Sequence, residues 1–329
     1  MKTIHAVVEG IGHGIPSKVL TNDDLSKIVD TNDEWIAQRT GIRERRICTE
    51  DETASTLGVI AAREALDHAG IAPDDLDMVI CATVSGDMPF PSTSCLIQDA
   101  IGASKAGAFD LGAACAGFIY ATATASAMIE AGQVRNVLVV GVDVLSKFVD
   151  WTDRSTCVLF GDGAGAIVLH GRTDTDRGVL KTVMLSDGGG AEHIKLEVGG
   201  SKYPMCSPRH GDHSHHIFMA GREVYRFAVT AMGDACCRLL DQAGITAEDI
   251  DLFVPHQANL RIIESAAKRL ELPPEKVFVN VDRFGNTSAG SIPLGLYEAE
   301  RDGRLKPGMV VMTVGFGAGL VWGANLIRW

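Results

Sequence analysis

Between residues 54 and 70 apolar side chains return every three or four positions, the spacing of one helix face, and the run stops at Gly70, where a left-handed cap forms easily. The apolar stretch DMVICATV at 77–84 reads as a strand. A second strand, AGAFDL at 106–111, turns through Gly112 into AACAGFIYATATASAMIEAG at 113–132. Residues of that segment are small or apolar on almost every face, so the helix it forms must be buried. The later part of the chain repeats the order: a helix at 226–244, a strand DLFVPH at 251–256, a strand KVFVNVD at 276–282 and a helix from about Ser288. Alternating helices and strands favour sheets covered by helices, so the pattern predicts a layered α/β fold.

The repetition extends to the residues themselves. AGIAPDDLDMVI from Ala69 resembles AGITAEDIDLFV from Ala243; LGAACAGF from Leu111 resembles FGNTSAGS from Phe284; NVLVVG ending at Gly141 parallels VVMTVG ending at Gly315. All three pairs share nearly one offset over about 70 residues, which predicts two halves built on one plan, 1–174 and 175–329.

Composition narrows the function. Hydrophobic residues make up 46% and aromatic ones 6%, with 36 glycines, which suits packed helices and strands joined by sharp turns and argues against disorder. A formal charge of −12 argues against general nucleic-acid or anionic-membrane binding, since both need a basic surface. No signal peptide or membrane span is read from the chain, and the expected location is the cytoplasm. The eight cysteines, at 48, 81, 95, 115, 157, 206, 236 and 237, form no CxxC pair and read as reduced thiols, most of them for packing.

Cys115 is the exception, because it lies just past a strand-to-helix turn among Ala114, Ala116 and Gly117. A thiol at a helix N-terminus feels the positive end of the dipole, so a lowered pKa is expected. His256 ends a strand in VPHQAN and Asn286 sits in the turn FGNTSAG; the pseudo-repeat predicts that both converge on Cys115. Taken singly, such a His is more often structural and such an Asn a turn former. Cys, His and Asn also suit a cysteine peptidase, although the peptidase sequence around the Cys is absent and the duplicated α/β plan is not a peptidase architecture. Gly315, Gly317 and Gly319 let backbone amides approach a ligand, so Gly317 or Ala318 with the amide of Cys115 are candidates for an oxyanion hole. FGDGAGA at 160–166 lacks a P-loop Lys and reads as a structural turn.

TNDEWIAQRTGIRERR groups Trp35 with Arg39, Arg43, Arg45 and Arg46, a set suited to a stacked base and its phosphates, as in coenzyme A, or to an ordinary solvated helix end. SPRHGDHSHH at 207–216, preceded by Cys206, has no recognisable zinc spacing and reads as an exposed polar loop.

With DEWI…RTGIRERR, GAACAGF, VPHQAN and GNTSAGS in order, the whole chain resembles the β-ketoacyl-acyl-carrier-protein synthase III family of the thiolase-like superfamily. The resemblance implies a thiolase-like duplicated layered α-β-α-β-α fold and a decarboxylating Claisen condensation of an acyl-CoA with malonyl-acyl-carrier protein, with no cofactor or metal. It puts the nucleophile on Cys115 and the decarboxylation pair on His256 and Asn286. Coenzyme A would meet Trp35 and Arg154, with Thr31, Arg39 and Asn259 nearby; the carrier protein would dock on Arg261, Lys268 and Arg269; and Phe90 would reach across a homodimer interface to bound the acyl pocket. The chain departs from the family's pattern in reading Phe316-Gly317-Ala318-Gly319 where three successive glycines are common, and in carrying a His-rich loop near 188–220 with Arg222 beside it. Two other readings remain: a secondary-metabolite condensing enzyme with a different acceptor, and a non-catalytic acyl-carrier or CoA-binding module.

Overall fold

A computed structural model describes residues 3–329. Strands β1 (His5–Gly14), β2 (Met78–Ala82), β3 (Gly107–Leu111), β4 (Asn136–Asp143) and β5 (Gly163–Arg172) form one sheet in the order β1-β5-β4-β2-β3. Strands β6 (Gly178–Ser186), β7 (Leu252–Pro255), β8 (Val310–Gly317) and β9 (Val321–Arg328) form a second in the order β7-β8-β9-β6. The two sheets share a register. Met78 of β2 faces Val137 of β4 in a parallel pair, and Leu252 of β7 faces Val311 of β8 in the same way. In each sheet the next two pairings are antiparallel.

The longer helices are α1 (Asp33–Thr40), α2 (Ala54–Ala69), α3 (Thr93–Ile101), α4 (Gly117–Glu130), α5 (Gly221–Ala243), α6 (Leu260–Arg269) and α7 (Ser291–Arg301). α2 starts on a capping box between Thr53 and Thr56 and ends on Gly70 at φ 63°, as the pattern of residues 54–70 predicts. Buried side chains sort these elements into layers. Leu57, Ala61 and Ile97 of α2 and α3 pack against Val79, Val140 and Val168 on the outer face of the first sheet. Met232, Leu239 and Ile262 of α5 and α6 pack against Phe253, Met312 and Leu326 on the outer face of the second. Between the sheets, Phe118, Ala121 and Ala125 of α4 and Ile292 and Leu296 of α7 meet side chains from both. α4 therefore sits in the middle layer, which is why it carries apolar or small residues on almost every face. No helix among the described residues is long and apolar enough to cross a membrane.

One expected strand is missing. KVFVNVD pairs only through Val277 to Phe253, with the Phe278 amide on the Phe253 carbonyl at 2.9 Å. Its next amides, at Asn280 and Val281, donate instead to the side chain of Gln257 at 3.0 and 3.2 Å, and the chain curls into the short helix Val281–Phe284. The ladder stops because a side-chain acceptor replaces the neighbouring strand.

Candidate active site

β3 delivers the chain into a 3-10 turn, Ala114–Ala116, that leads directly into α4. Ala114 takes the left-handed region at φ 44°. In the second half the turn Ser288–Gly290 leads into α7 in the same way, with Ser288 at φ 51°. The elbows therefore superpose Ala114 on Ser288, one residue away from the pairing of Cys115 with Ser288 that the motif alignment gives. Close packing fixes both. At Gly141 of β4 a Cβ would fall 2.3 Å from the Ala289 carbonyl oxygen, and at Gly317 of β8 a Cβ would fall 2.6 Å from the Cys115 nitrogen. Only glycine lets these strands touch the two elbows so closely.

The Ser288 hydroxyl donates to the Cys115 sulfur at 3.2 Å. Burial pushes the Cys115 thiol up to about 12, with the Ser288 hydrogen bond pulling the other way. The expected lowering by the helix dipole is thus corrected: in this cavity the desolvation of a thiolate outweighs the stabilisation offered by the start of α4. His256 follows β7 and is fully buried. Its amide donates to the Val314 carbonyl at 2.7 Å, and its Nδ1 lies 2.6 Å from the Ser291 hydroxyl at the start of α7. Nε2 is buried and has no partner among the described residues. Burial lowers the pKa of the ring to about 3, so it is neutral at physiological pH. The Phe316 ring meets it edge-on, with centroids 5.5 Å apart. Asn286 is pinned beside Phe160: its amide donates to Leu159 at 2.8 Å, and its carbonyl accepts from Gly161 at 3.0 Å. Its side-chain oxygen accepts the Ser288 amide at 2.9 Å, which leaves the Nδ2 end without a partner among the described residues.

Cys115, His256, Asn286, Gly317 and Ala318 all line one cavity of about 380 Å³, whose wall also holds Trp35, Arg39, Arg154 and Asn259. Trp35 is half-buried, with the Arg39 and Arg154 guanidinium carbons 4.3 and 5.3 Å from its ring centre. Arg154 also donates to the Asp30 carbonyl at 3.0 Å. Asn259 caps α6 through the Arg261 amide at 2.9 Å and donates to the Arg39 carbonyl at 3.0 Å, so it joins α1 to α6. Thr31 stays outside the lining, and its buried hydroxyl has no partner among the described residues. Arg261 donates to the Gln38 carbonyl at 2.6 Å, while Lys268 and Arg269 are exposed at the other end of α6. Phe90 is 84% exposed and outside the cavity.

The basic cluster resolves differently from its reading. Arg45 is fully buried and donates to the Leu20 and Val158 carbonyls and to Asn22, so it braces the fold and holds no phosphate. Arg43 pairs with Asp33 at 2.8 Å. In the His-rich loop, His213 stacks on Tyr203 at 3.8 Å and reaches Glu197 at 3.1 Å, while His210 meets His215 edge-on. FGDGAGA is structural: buried Asp162 accepts the Cys48 and Ser146 amides just before β5. Sequence reading missed Ser288, Ser291 and Phe316. Both serines stand in the same segment as Asn286, but nothing local in that segment tells which of its hydroxyls faces the thiol and which the imidazole.

The comparisons with known proteins agree with this architecture. Residues 109–188 match the family model for 3-oxoacyl-[acyl-carrier-protein] synthase III, and residues 240–329 match its C-terminal counterpart. The chain is 51% identical over 329 residues to the β-ketoacyl-[acyl-carrier-protein] synthase III of Symbiobacterium thermophilum, covering 100% of this chain and 99% of that one. It is 49% identical over 326 residues to that of Caldanaerobacter subterraneus, with 99% and 98% covered. The crystal structure of 3-oxoacyl-[acyl-carrier-protein] synthase III from Aquifex aeolicus superposes with a TM-score of 0.92 at 46% identity, covering 98% of this chain and 100% of that chain. With a thiol, a neutral imidazole and a carboxamide gathered in one cavity of a duplicated α/β fold, and relatives of this identity along the whole length, the chain belongs to the β-ketoacyl-[acyl-carrier-protein] synthase III family of acyl-transferring condensing enzymes.

Proposed function

We propose that the protein condenses a short acyl-CoA, such as acetyl-CoA, with malonyl-acyl-carrier protein and so initiates fatty acid synthesis. The observation that carries this reading is the single cavity with Cys115, His256 and Asn286 among its walls and Trp35 and Arg154 in the same lining. In the first step the Cys115 sulfur bonds to the thioester carbonyl carbon, and the carbon–sulfur bond to coenzyme A breaks. The departing thiolate takes up the proton that the Cys115 thiol gives up. The amides of Cys115 and of Gly317 or Ala318 receive the transient oxyanion. Trp35 and Arg154 stack on the nucleotide, with Thr31, Arg39 and Asn259 beside it.

In the second step malonyl-carrier protein enters, and its thioester oxygen accepts from His256 Nε2 and Asn286 Nδ2. Ser291 fits this proton placement: its hydroxyl can donate to Nδ1 of His256 at 2.6 Å while its oxygen accepts the Gln257 amide at 3.4 Å, the arrangement in which the ring proton sits on Nε2. Carbon dioxide departs with cleavage of its carbon–carbon bond, the electron pair stays as an enolate, and the enolate carbon attacks the acyl group on Cys115. The Cys115 thiolate is the leaving group.

Basic residues Arg261, Lys268 and Arg269 on α6 give an acidic chain a local surface for an acidic carrier. A homodimer is supported by the position of β3 at the open edge of its sheet and by the exposed apolar run Val84, Met88 and Phe90, at 52%, 47% and 84% exposure. Phe90 would then close the partner's acyl pocket. The halves 1–174 and 175–329 would act as one unit in the cytoplasm, the first supplying the thiol and the second the decarboxylating pair. The test is mass spectrometry after mixing with acetyl-CoA, which should show an acetyl adduct on Cys115. Turnover that required malonyl-CoA in place of malonyl-carrier protein would move the assignment to a different acceptor.

A further inference from the structure

At the C-terminal end of β4, Asp143 is fully buried, and no cation among the described residues pairs with it. Its charge is met by hydrogen-bond donors alone. One carboxylate oxygen accepts the Thr83 hydroxyl at 3.1 Å, the Val84 amide at 2.9 Å and the Ser85 hydroxyl at 2.7 Å. The other accepts the Ala289 amide at 3.2 Å. The first three donors belong to the loop after β2, in which Val84 lines the cavity. The fourth belongs to the elbow of the other half, between Ser288, which bonds the nucleophile, and α7, which carries Ser291. A buried carboxylate with no counter-ion is costly unless donors satisfy it, so the arrangement resists displacement of any one of them.

We propose that Asp143 is a positioning residue of the condensing site, fastening the cavity loop of the first half to the Ser288–Gly290 elbow of the second and so setting where Ser288 and Asn286 stand relative to Cys115. The proposal rests on the condensing reading above. Asp143 touches no substrate; it acts through the two segments it ties. Its negative charge also bears on the nucleophile, being one of the influences that keep the Cys115 thiol up, together with burial. Cys81 on β2 feels the same charge, as well as those of Asp110 and Asp87, while His256 faces the cavity from β7 as a neutral ring.

Asp143→Asn keeps the shape, removes the charge and sets an amide NH2 against either the Ala289 amide or the loop donors. Two readouts follow. The pH midpoint for iodoacetamide alkylation of Cys115, read by peptide mass spectrometry, should move down by about one unit, the size of a single nearby charge in a protein interior. Decarboxylation of malonyl-carrier protein should fall on the order of 10- to 100-fold in kcat, as misplacement of a catalytic group by about 1 Å does, with KM changed much less. If Asp143→Asn does not fold, Thr83→Val removes one donor without removing the charge, and the alkylation midpoint should then move up. An unchanged midpoint in the folded variant, or equal loss in acylation and decarboxylation, would overturn the proposal. Because alkylation needs no substrate, it separates failure of this inference from failure of the condensing assignment, which shows in the unsubstituted protein as the absence of an acetyl adduct.

Discussion

At Ala114 and at Ser288 the chain makes the same left-handed step into a 3-10 turn and then into a buried helix, yet the two elbows present different chemistry. The first presents a thiol with no polar side-chain partner among the described residues of its own half. The second presents Asn286, whose oxygen is folded back onto the Ser288 amide, and Ser288, whose hydroxyl reaches the thiol of the first. His256, between β7 and α6, is likewise held by the second half, through Val314 and Ser291. A duplicated backbone thus supplies two rigid corners, and the side chains divide the labour. On the proposed mechanism one corner would carry a covalent intermediate and the other would handle developing negative charge. The same divergence reaches the sheet edges. β3 is a full strand at an open edge, and its counterpart in the second half shrinks to the single bridge at Val277, because Gln257 takes the amides that would extend it.

The comparison breaks most completely at the first elbow. Cys115→Ala should lower condensation by about 10⁴-fold or more, the scale of losing a catalytic nucleophile, and should abolish both the burst of coenzyme A and the acyl adduct. Substitution at the second elbow should leave a different signature. His256→Ala or Asn286→Ala should reduce carbon dioxide release from malonyl-carrier protein by ~10²–10³, the usual cost of one donor to a developing oxyanion. The coenzyme A burst should fall far less, so the two half-reactions need separate measurement. A burst abolished by His256→Ala with decarboxylation intact would reverse the roles.

Dependence on pH sharpens the contrast. Burial pushes the Cys115 thiol up to about 12, above the usual cysteine value, so its thiolate fraction, and with it the acylation rate, should rise about tenfold per pH unit across neutrality. His256 is shifted the other way, to about 3, and stays neutral as pH falls from 8 to 5. Decarboxylation by acylated enzyme should be nearly flat over that range. The smallest effect belongs to Ser291→Ala, which removes the partner that orients the imidazole. A loss of about 1 kcal/mol predicts roughly fivefold slower decarboxylation with an unchanged burst.

The alternation of helices and strands, the capped end of α2 and the repeat itself were legible in the sequence, because periodicity and caps are properties of neighbouring residues. The candidate nucleophile was legible for the same reason: small residues around Cys115 mark a strand-to-helix turn wherever they occur. His256 and Asn286 were readable as candidates through the motifs that carry the family resemblance. Tertiary structure alone decided the rest. The direction of the Cys115 shift depends on how much water the assembled cavity excludes, which a local dipole argument cannot include. Arg45, grouped with basic neighbours along the chain, is buried among Leu20, Asn22 and Val158. The Ser288–Cys115 contact joins residues 173 positions apart, and the Ser291–His256 contact crosses 35. The first pairing follows from how the two halves pack and the second from how β7 and α7 pack within the second half, and no local spacing specifies either.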